Sequence, residues 1–363
     1  MKRILLYGTV LWLVLFAMAV CMARPEPSDE HLTDDEPEDV IAAAATVKTE
    51  GSTGKPSEKA NETMDTPQAA SYDETHTILV KMKDGIKMVR MDTYLVGVVA
   101  AEMPASFSEE ALKAQAVSAR TFAARREAEA ASGNTKSGHD GAVICTDPGC
   151  CMAYCDLTME AADVFGSNAK PYTEKVKKAV ADTDGEILTW EDVPILAAFH
   201  AVSGGYTENA EDVWGSYVPY LVSVSSAGEE NAANYRGTVT ITAEAFRELM
   251  LTVYPSAELG NDPTVWFADA VRGDGGGVKT VSVGGVTVKG SVLRSLLGLN
   301  STDFTVRVGV DDLGAVTLTF ETIGYGHGVG MSQYGALAMA QRGCTYQEIL
   351  RAYYTGVELE KRI

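Results

Sequence analysis

Along several parts of the chain, apolar and polar residues alternate with the period of two that is typical of β-strands. Residues 77–82 and 86–91 alternate on either side of Asp84-Gly85, a pair that favours a tight hairpin turn. Residues 193–202 are apolar on both faces, which predicts a central strand. Further strands are predicted at residues 185–190, 304–308 and 315–320 and in a hairpin over 278–288.

Other segments carry apolar residues at the spacing of helices. In the segment 108–129 alanine dominates one side, and Ser108 stands where an N-cap is expected. Strands and helices do not follow one another in strict βαβ order, and we find no internal repeat. The mixture predicts an α+β fold in which mixed sheets pack against helices and form a cleft. Helices are predicted at residues 92–103, 108–129, 173–182, 292–299, 332–342 and 346–354.

The N-terminus has the composition of a membrane-targeting segment. Residues 4–22 form an uncharged, apolar run of 19 that follows Lys2 and Arg3, and this length matches the core of a bilayer. The positive flank predicts that the rest of the chain lies outside the membrane. We expect a signal anchor at residues 1–23, with a cleaved signal peptide as the alternative.

The next segment has the composition of a solvated tether. Residues 24–76 carry 14 Asp or Glu against 4 Lys or Arg and lack a periodic apolar pattern. They bury too little surface to offset the entropy of ordering, so we expect disorder. The folded part would then cover residues 77–363, with 226–320 as an inserted lobe or a docking surface. The net charge of −20 argues against a nucleic-acid partner.

One carboxylate occupies an unusual position. Glu102 ends an apolar predicted helix, directly before Met103-Pro104. Carboxylates are rarely buried without a role, and an apolar setting would raise the pKa of Glu102 and make it a proton donor near neutral pH. From spacing alone, a solvated glutamate at a helix end is the simpler interpretation.

Two glycine-containing segments carry side chains that can form hydrogen bonds. In residues 199–207 (FHAVSGGYT) a strand ends at His200, and Ser203, Gly204 and Gly205 follow, where the backbone can approach a ligand closely. A strand-ending turn with a core histidine is the alternative. Residues 324–336 (GYGHGVGMSQYGA) surround His327 with glycines. The glycine spacing does not match the GxGxxG motif of dinucleotide-binding loops, and no P-loop lysine follows. A polar ligand other than phosphate is therefore favoured.

A short loop, HDGAVICTDPGCCMAYC, begins at His139 and holds four cysteines. An extracytoplasmic location favours disulfides, and Cys145 and Cys155 could flank a small knot. Adjacent Cys150 and Cys151 cannot easily bond each other without strain. Histidine and cysteine together also form the soft ligand set that suits tetrahedral zinc. Both interpretations remain open on the residues alone.

Three strings together closely resemble the stage II sporulation protein D family. They are MDTYLVGVVAAEMPASFSEEALKAQAVSARTFA, AFHAVSGGYTENAEDVWG and GYGHGVGMSQYGALAMAQRGCTYQEILRAYYTGV. The resemblance runs from about residue 77 to Val357. It implies a membrane-anchored peptidoglycan lytic transglycosylase of engulfment, with Glu102 as the catalytic glutamate. Amidase-enhancer proteins share the domain, so a non-catalytic module that stimulates a cell-wall amidase is the alternative.

The resemblance also implies the surroundings in which the protein works. The substrate would be peptidoglycan glycan strands without stem peptides, and the partners would be stage II sporulation proteins P and M. The location would be the membrane at the sporulation septum, with the catalytic domain outside the cytoplasm.

Asp212 and Trp214 are weaker contact candidates, and Gln115, Arg120 and Tyr220 are expected in packing. The expected substrate contacts are His200, Ser203, Tyr206, His327 and Gln333.

Clostridial family members look similar in the cysteine loop, where His and Cys bind a metal and a histidine replaces Cys150. The resemblance therefore implies zinc held by His139, Cys145, Cys150 and Cys151, with Cys155 as the alternative fourth ligand. Four protein ligands would close the site, so this zinc would be structural.

Overall fold

The computed structural model describes residues 71–363. The anchor predicted at residues 1–23 and nearly all of the tether predicted at 24–76 lie outside the described residues. Within residues 71–363, no helix combines the length and the apolar character needed to cross a membrane. The α+β prediction is confirmed, because helices pack here with several small sheets.

The helices vary from one turn to 23 residues, and α3 is the longest. They are α1 Tyr72–Thr75, α2 Met91–Glu102, α3 Glu109–Ala131, α4 Leu157–Phe165, α5 Ala169–Asp182, α6 Ala210–Trp214, α7 Ala243–Val253, α8 Gly290–Leu297, α9 Gln333–Gln341 and α10 Tyr346–Tyr353.

The strands form five small sheets, ordered β2-β1-β3, β14-β4-β5, β13-β6, β10-β9-β8 and β11-β12-β7. Pairing is antiparallel except for β1 with β3 and β13 with β6. The strands are β1 Thr77–Met82, β2 Gly85–Arg90, β3 Ile144–Cys145, β4 Glu186–Trp190, β5 Val193–Pro194, β6 Phe199–His200, β7 Arg236–Thr242, β8 Phe267–Arg272, β9 Val278–Val283, β10 Val286–Lys289, β11 Phe304–Val310, β12 Val316–Ile323, β13 Met331–Ser332 and β14 Glu358–Lys361.

Helix α3 lies at the centre of the larger core. Its small side chains let α2, α5, α9, α10 and β4 pack against it. The helix also buries four polar residues, Gln115, Ser118, Arg120 and Thr121, and Gln115 and Arg120 bond to neighbouring elements. The ends of α2 and α9 are therefore brought together beside the same helix. Its buried alanines are Ala111, Ala114, Ala116, Ala119, Ala123 and Ala124.

A second apolar core lies within residues 226–320. For this stretch the sequence is compatible with either an inserted lobe or a docking surface. Two three-stranded sheets and helices α7 and α8 enclose it. Phe246 lies 5.9 Å from both Trp266 and Phe320, measured between ring centroids. Because these side chains pack with one another and not with the α3 core, the stretch is a lobe with its own interior.

The central strand predicted over residues 193–202 is wrong. Only β5 and β6 are extended there, and they belong to different sheets. A tight turn, in which the Ala198 N–H donates to the Leu196 carbonyl at 2.8 Å, lies between them. The segment is apolar because it crosses the core, where Ile195 and Ala197 are fully buried. Burial on all sides produces the same pattern in a crossing segment as in a central strand.

The folded part begins before residue 77, where the sequence analysis placed its start. Helix α1 lies within the predicted tether, and its Asp73 is buried. The Arg120 guanidinium donates to Asp73 through Nε (2.9 Å) and Nη2 (2.5 Å). Asp184 accepts from the Ser71 hydroxyl (2.6 Å) and the Asp73 N–H (2.9 Å). The chain is thus fixed to the α3 core where the described residues begin.

Asp73→Asn in the full-length chain should lower the free energy of unfolding by about 3–5 kcal/mol, because it leaves the Arg120 charge buried without a counter-ion. Denaturant unfolding followed by circular dichroism measures the loss. Asp84→Asn is the matched control, since Asp84 pairs with Lys87 on the surface, and it should leave the midpoint unchanged. Equal effects of the two substitutions would contradict the structural role of the buried pair.

Candidate active site and metal cluster

A cleft of about 770 Å³ opens at the carboxyl end of α2. Its walls come from the loop before Ala153, from strand β6, from the end of α6 and from the glycine-rich loop 324–330. Far-apart segments of the chain therefore contribute to one surface. Among the predicted site residues, the cleft brings together Glu102, His200, His327, Gln333, the weaker candidate Trp214 and two of the predicted metal ligands, Cys150 and Cys151.

Glu102 is the carboxylate of this cleft. Its side chain is half-buried, and its Oε1 accepts the Ala153 N–H at 2.6 Å. Burial raises the pKa of Glu102, and the Ala153 hydrogen bond opposes the rise only in part. A carboxyl group in this setting retains its proton to higher pH than an exposed glutamate. It is therefore suited to donate a proton.

Gln333 fixes the backbone beside this carboxylate. Its Nε2 donates to the Glu102 carbonyl at 3.0 Å and to Gln115 Oε1 at 3.3 Å. Gln333 is the first residue of α9, and the Ser332 side chain caps that helix. The amide thus links α2, α3 and α9 at the floor of the cleft. Its donor group is occupied by protein acceptors.

Two histidines lie side by side in the cleft wall, with ring centroids 5.8 Å apart. Burial is the larger cause that lowers the pKa of His200 to about 3, and the neighbouring His327 is the second. Burial is also the larger cause that lowers the pKa of His327 to about 4, and the positive charge of Arg294 is the second. Both rings are therefore neutral at physiological pH. The ring centroids of Trp214 and His327 lie 5.4 Å apart, and Trp214 is 44% exposed to solvent.

The glycine-rich loop owes its path to residues without side chains. Gly324, Gly326, Gly328 and Gly330 all have positive φ angles, between 74° and 117°. An added Cβ would lie 2.8 Å from the His200 Cβ at Gly326 and 2.1 Å from a backbone oxygen at Gly330. L-residues rarely adopt this conformation, and they would not fit here. The glycines thus let the loop pack directly on the β6 segment and place His327 there.

Ser203 and Tyr206 lie apart from the Glu102 cleft, in a small adjacent hollow that also touches His327. Ser203 is buried, and its hydroxyl donates to Glu229 Oε1 at 2.7 Å. Tyr206 is 57% exposed. Of the predicted substrate contacts, these two are the ones that the structure separates from the catalytic candidate.

Glu229, which sequence reasoning missed, is a buried acceptor that holds three segments together. It accepts hydrogen bonds from the Ser203 N–H (2.9 Å), from the Ser332 hydroxyl (2.5 Å) and from the Ser226 hydroxyl. Several donors satisfy this carboxylate, and no cation of residues 71–363 forms an ion pair with it. No sequence signal identifies this residue, because its donors are distant in the chain.

Glu208, also missed, connects the cleft wall to the second lobe. Its Oε1 accepts the Gly277 N–H at 2.7 Å, and its own N–H donates to the Gly328 carbonyl at 2.7 Å. Burial raises the pKa of Glu208. Added Cβ atoms at Gly275 and Gly277 would lie 2.5 to 2.6 Å from its carboxyl group. A Glu directly after SerGlyGlyTyrThr was the available sequence signal.

Four side chains in the cysteine loop could hold a metal ion. The ligand atoms of His139, Cys145, Cys150 and Cys151 all lie within 4.8 Å of one another. His139 Nδ1 lies 3.3 Å from the Val143 carbonyl, which places the proton there and leaves the Nε2 lone pair free. That nitrogen faces two thiols, at 3.3 Å (Cys150) and 3.5 Å (Cys151).

These separations suit one tetrahedral ion. With Zn–S near 2.3 Å and Zn–N near 2.0–2.1 Å, neighbouring ligand atoms would be about 3.5–3.8 Å apart. The Sγ atoms of Cys150 and Cys151 are 4.0 Å apart, close to that value. The thiol of Cys155, the alternative ligand, instead contacts the Gly97 carbonyl at 3.6 Å. The donor set and its geometry therefore fit a zinc-sized ion bound by four residues.

Comparisons with known proteins identify the family. The family model described as stage II sporulation protein matches residues 81–190. Stage II sporulation protein D of Bacillus subtilis (strain 168) is 38% identical over 279 residues, covering 76% of each chain. The chain belongs to the stage II sporulation protein D family. The protein of that name from Bacillus amyloliquefaciens is 37% identical over 276 residues, again covering 76% of each chain.

A more distant relative is the amidase enhancer of Bacillus subtilis (strain 168), which is 29% identical over 313 residues. That match covers 73% of this chain and 40% of the amidase enhancer. The segment matched by the stage II sporulation protein model contains Glu102 and the four-residue cluster, whereas His200, His327 and Gln333 follow it. The cleft of this stage II sporulation protein D family member thus combines residues from inside and outside that segment.

Sequence reasoning also missed two cationic side chains of the cleft, Arg126 and Lys136. Arg126 donates to Glu129 at 2.7 Å and lies over the Phe122 ring. Lys136 donates to the Cys150 carbonyl at 2.7 Å. Positive charge in the cleft contrasts with the net charge of −20 of the whole chain. The sequence does not reveal which surface a charged side chain on a helix or in a loop will face.

Glu102→Gln should raise the thermal midpoint of the full-length chain near pH 8, and the gain should shrink as the pH falls towards about 4. The folded state raises the pKa of Glu102. The stability contributed by this side chain is therefore present at low pH and is lost as the pH rises through the folded pKa. Glutamine still accepts from Ala153 but carries no charge to bury. Thermal unfolding across this pH range measures the difference.

The exposed Glu109, which bonds Lys178, supplies the matched control. Glu109→Gln should not reproduce the pH-dependent gain. A Glu102→Gln effect that is the same at every pH would show that burial does not disfavour the charged carboxylate.

Proposed function

We propose that the protein is a membrane-anchored lytic transglycosylase of peptidoglycan that acts in engulfment during sporulation. It would cleave glycan strands between N-acetylmuramic acid and N-acetylglucosamine and leave 1,6-anhydro-muramic ends. Family membership supports the setting. One observation carries the reaction: among the described residues that line the cleft, Glu102 is the only carboxylate, and burial raises its pKa.

A single carboxyl group suffices for this reaction. Most glycosidases that use water need two, one as acid and one as base or nucleophile. In a transglycosylase the nucleophile is the 6-hydroxyl of the muramic acid itself, so proximity replaces the second protein group. The Glu102 carboxyl donates its proton to the glycosidic oxygen as the C1–O bond breaks. The 6-hydroxyl oxygen then bonds to C1, and its proton returns to the Glu102 carboxylate.

The other cleft residues suit a polar, acidic glycan. The exposed part of the Trp214 indole could contact a sugar ring. Arg126 and Lys136 provide positive charge, and the Arg126 Nε has no hydrogen-bond partner among the described residues. Muramic acid without its stem peptide carries a free lactyl carboxylate, whereas a peptide-bearing one does not. These cations therefore favour strands from which the peptides have been removed.

Zinc is the metal that we propose for the His139, Cys145, Cys150 and Cys151 cluster. Four protein ligands leave no position for water or substrate, so the ion would stabilise the loop and not activate a nucleophile. The loop continues from Cys151 through Met152 to Ala153, whose N–H bonds Glu102. Anchoring the loop would thus hold this donor and, through it, the carboxyl group.

The cellular setting remains part of the proposal. The apolar segment 1–23 would hold the protein in the membrane at the sporulation septum, with residues 77–363 outside the cytoplasm. Stage II sporulation protein P, as an amidase, would supply denuded strands, and protein M would serve as the membrane scaffold. The family assignment and the N-terminal composition support this arrangement.

The alternative function is a non-catalytic module that stimulates a cell-wall amidase. Its support is the 29% identity to the amidase enhancer over 73% of this chain. In that case the cleft would bind glycan without cleaving it. A buried carboxyl group with a raised pKa is not needed for binding, and this favours the enzyme.

Glu102→Gln should abolish the release of 1,6-anhydro-muramic ends from purified, denuded glycan, because glutamine cannot donate a proton. The wild-type rate should fall as the pH rises through the Glu102 pKa, which burial places above the ordinary carboxyl value. Mass spectrometry of the products provides the measurement. Glu109→Gln, outside the cleft, should cleave as the wild type does.

Two results would decide against this assignment. Anhydro ends from Glu102→Gln at the wild-type rate would remove Glu102 from the reaction. No cleavage by the wild type, with faster cleavage by an added amidase, would favour the alternative function.

Cys150→Ser should lose the bound zinc, lower the thermal midpoint and reduce glycan cleavage, because the loop that carries Ala153 would lose its anchor. Elemental mass spectrometry of the purified full-length chain measures the zinc content. Cys155→Ser and Cys344→Ser are matched controls, since both residues lie outside the cluster, and each should retain one zinc per chain. Wild-type protein without zinc, or with disulfides in this loop, would contradict the proposal.

A further inference from the structure

The His200 imidazole has one nitrogen without a partner among the described residues. The side chain is buried, with 4% of its surface exposed, and Nδ1 lies 3.2 Å from the Val329 carbonyl. A carbonyl oxygen can only accept, so the proton resides on Nδ1 and Nε2 presents a lone pair. Among residues 71–363, no group forms a hydrogen bond with this Nε2.

His200 lines the cleft that contains Glu102. Leaving a buried acceptor unsatisfied is unfavourable, and such groups in folded proteins usually have a partner. Burial and the adjacent His327 keep the pKa of His200 at about 3. The ring therefore stays neutral, and Nε2 remains an acceptor over the physiological pH range.

Three other polar groups predicted to contact substrate are already bonded within the protein, and Tyr206 is exposed in the adjacent hollow outside the Glu102 cleft. The Ser203 hydroxyl donates to Glu229, and the Gln333 amide donates to Glu102 and Gln115. His327 Nδ1 accepts the Val329 N–H at 3.1 Å. His200 Nε2 differs from these groups because it is both buried and unpaired.

We propose that His200 Nε2 accepts one hydrogen bond from the bound glycan and determines how a sugar sits beside Glu102. The donor is a neutral N–H or O–H group, either the acetamido N–H or a ring hydroxyl. A cation is a poorer match, because Arg126 and Lys136 line the same cleft. The proposal rests on the proposed function only in naming a glycan as the ligand.

The first test observes the nitrogen directly. The full-length chain contains five histidines, so selective ¹⁵N-histidine labelling gives a simple spectrum, and the resonances lost in His200→Asn assign this ring. Chitotetraose is added to the labelled Glu102→Gln protein, which does not turn it over. The Nε2 resonance should move upfield, as an imidazole nitrogen does when it accepts a hydrogen bond, while Nδ1 stays protonated.

Cellotetraose, which has hydroxyls in place of the acetamido groups, distinguishes the two donors. A shift with chitotetraose alone identifies the acetamido N–H, and a shift with both sugars identifies a ring hydroxyl. Either result supports the proposal. No Nε2 shift with either sugar at millimolar concentration, whether or not the sugar binds, would overturn it.

The second test measures affinity by calorimetry with chitotetraose. In His200→Asn the amide can still donate to the Val329 carbonyl but has no acceptor at the Nε2 position, so Kd should rise roughly five- to tenfold. His200→Gln places an amide oxygen near that position and should restore much of the affinity. His76→Asn is the matched control, because His76 pairs with Glu127 outside the cleft, and should bind normally.

Wild-type affinity in a folded His200→Asn protein would overturn the proposal. If that variant does not fold, the nitrogen shift in the His200 protein decides alone. Neither readout requires cleavage. A Nε2 shift without anhydro products would therefore overturn the proposed reaction and leave this inference intact. Cleavage without a Nε2 shift would overturn this inference and leave the proposed reaction intact.

Discussion

Close packing on helix α3 is the constraint on which the cleft depends. Its buried alanines allow α2, α9 and α10 to approach with little side-chain volume between them. Gln115, buried on the same helix, accepts from Gln333, and Gln333 also donates to the Glu102 carbonyl. The position of the carboxylate is thus set by the separation of three helices. A larger side chain on α3 would move the ends that carry these groups.

Buried polar groups connect this core to everything around it. Arg120 pairs with Asp73 and fixes the first described turn, Glu229 joins three segments behind the cleft, and Glu208 ties the glycine-rich loop to the second lobe. Each has partners that compensate for the loss of water. His200 Nε2 and the carboxyl group of Glu102 are less completely satisfied. Such incompletely compensated groups are where a ligand can contribute most.

Features encoded within a few residues could be predicted from the sequence. The hairpin over Gly284-Gly285 and the His–Cys cluster are local, since a turn pair or a short loop brings their members together. The strand predicted over residues 193–202 failed because a segment crossing the core has the composition of a central strand. Glu229 could not be predicted, because its role appears only when distant serines meet. The sequence singles out Glu102 as a catalytic candidate, but its burial and its Ala153 partner required the fold.

The proposed reaction would separate proton transfer from structural support within the cleft. In the proposed reaction Glu102 would provide a proton only if its carboxyl group stays in an apolar setting, and such a setting destabilises the charged form. The backbone donor of Ala153 limits this cost but also lowers the pKa, so the position of that N–H adjusts the balance between the two. Ala153 lies two residues after the last member of the metal-binding cluster. A metal ion held by that cluster would therefore influence the acidity of Glu102 without touching the proposed substrate, by fixing the distance between one backbone N–H and one carboxyl oxygen.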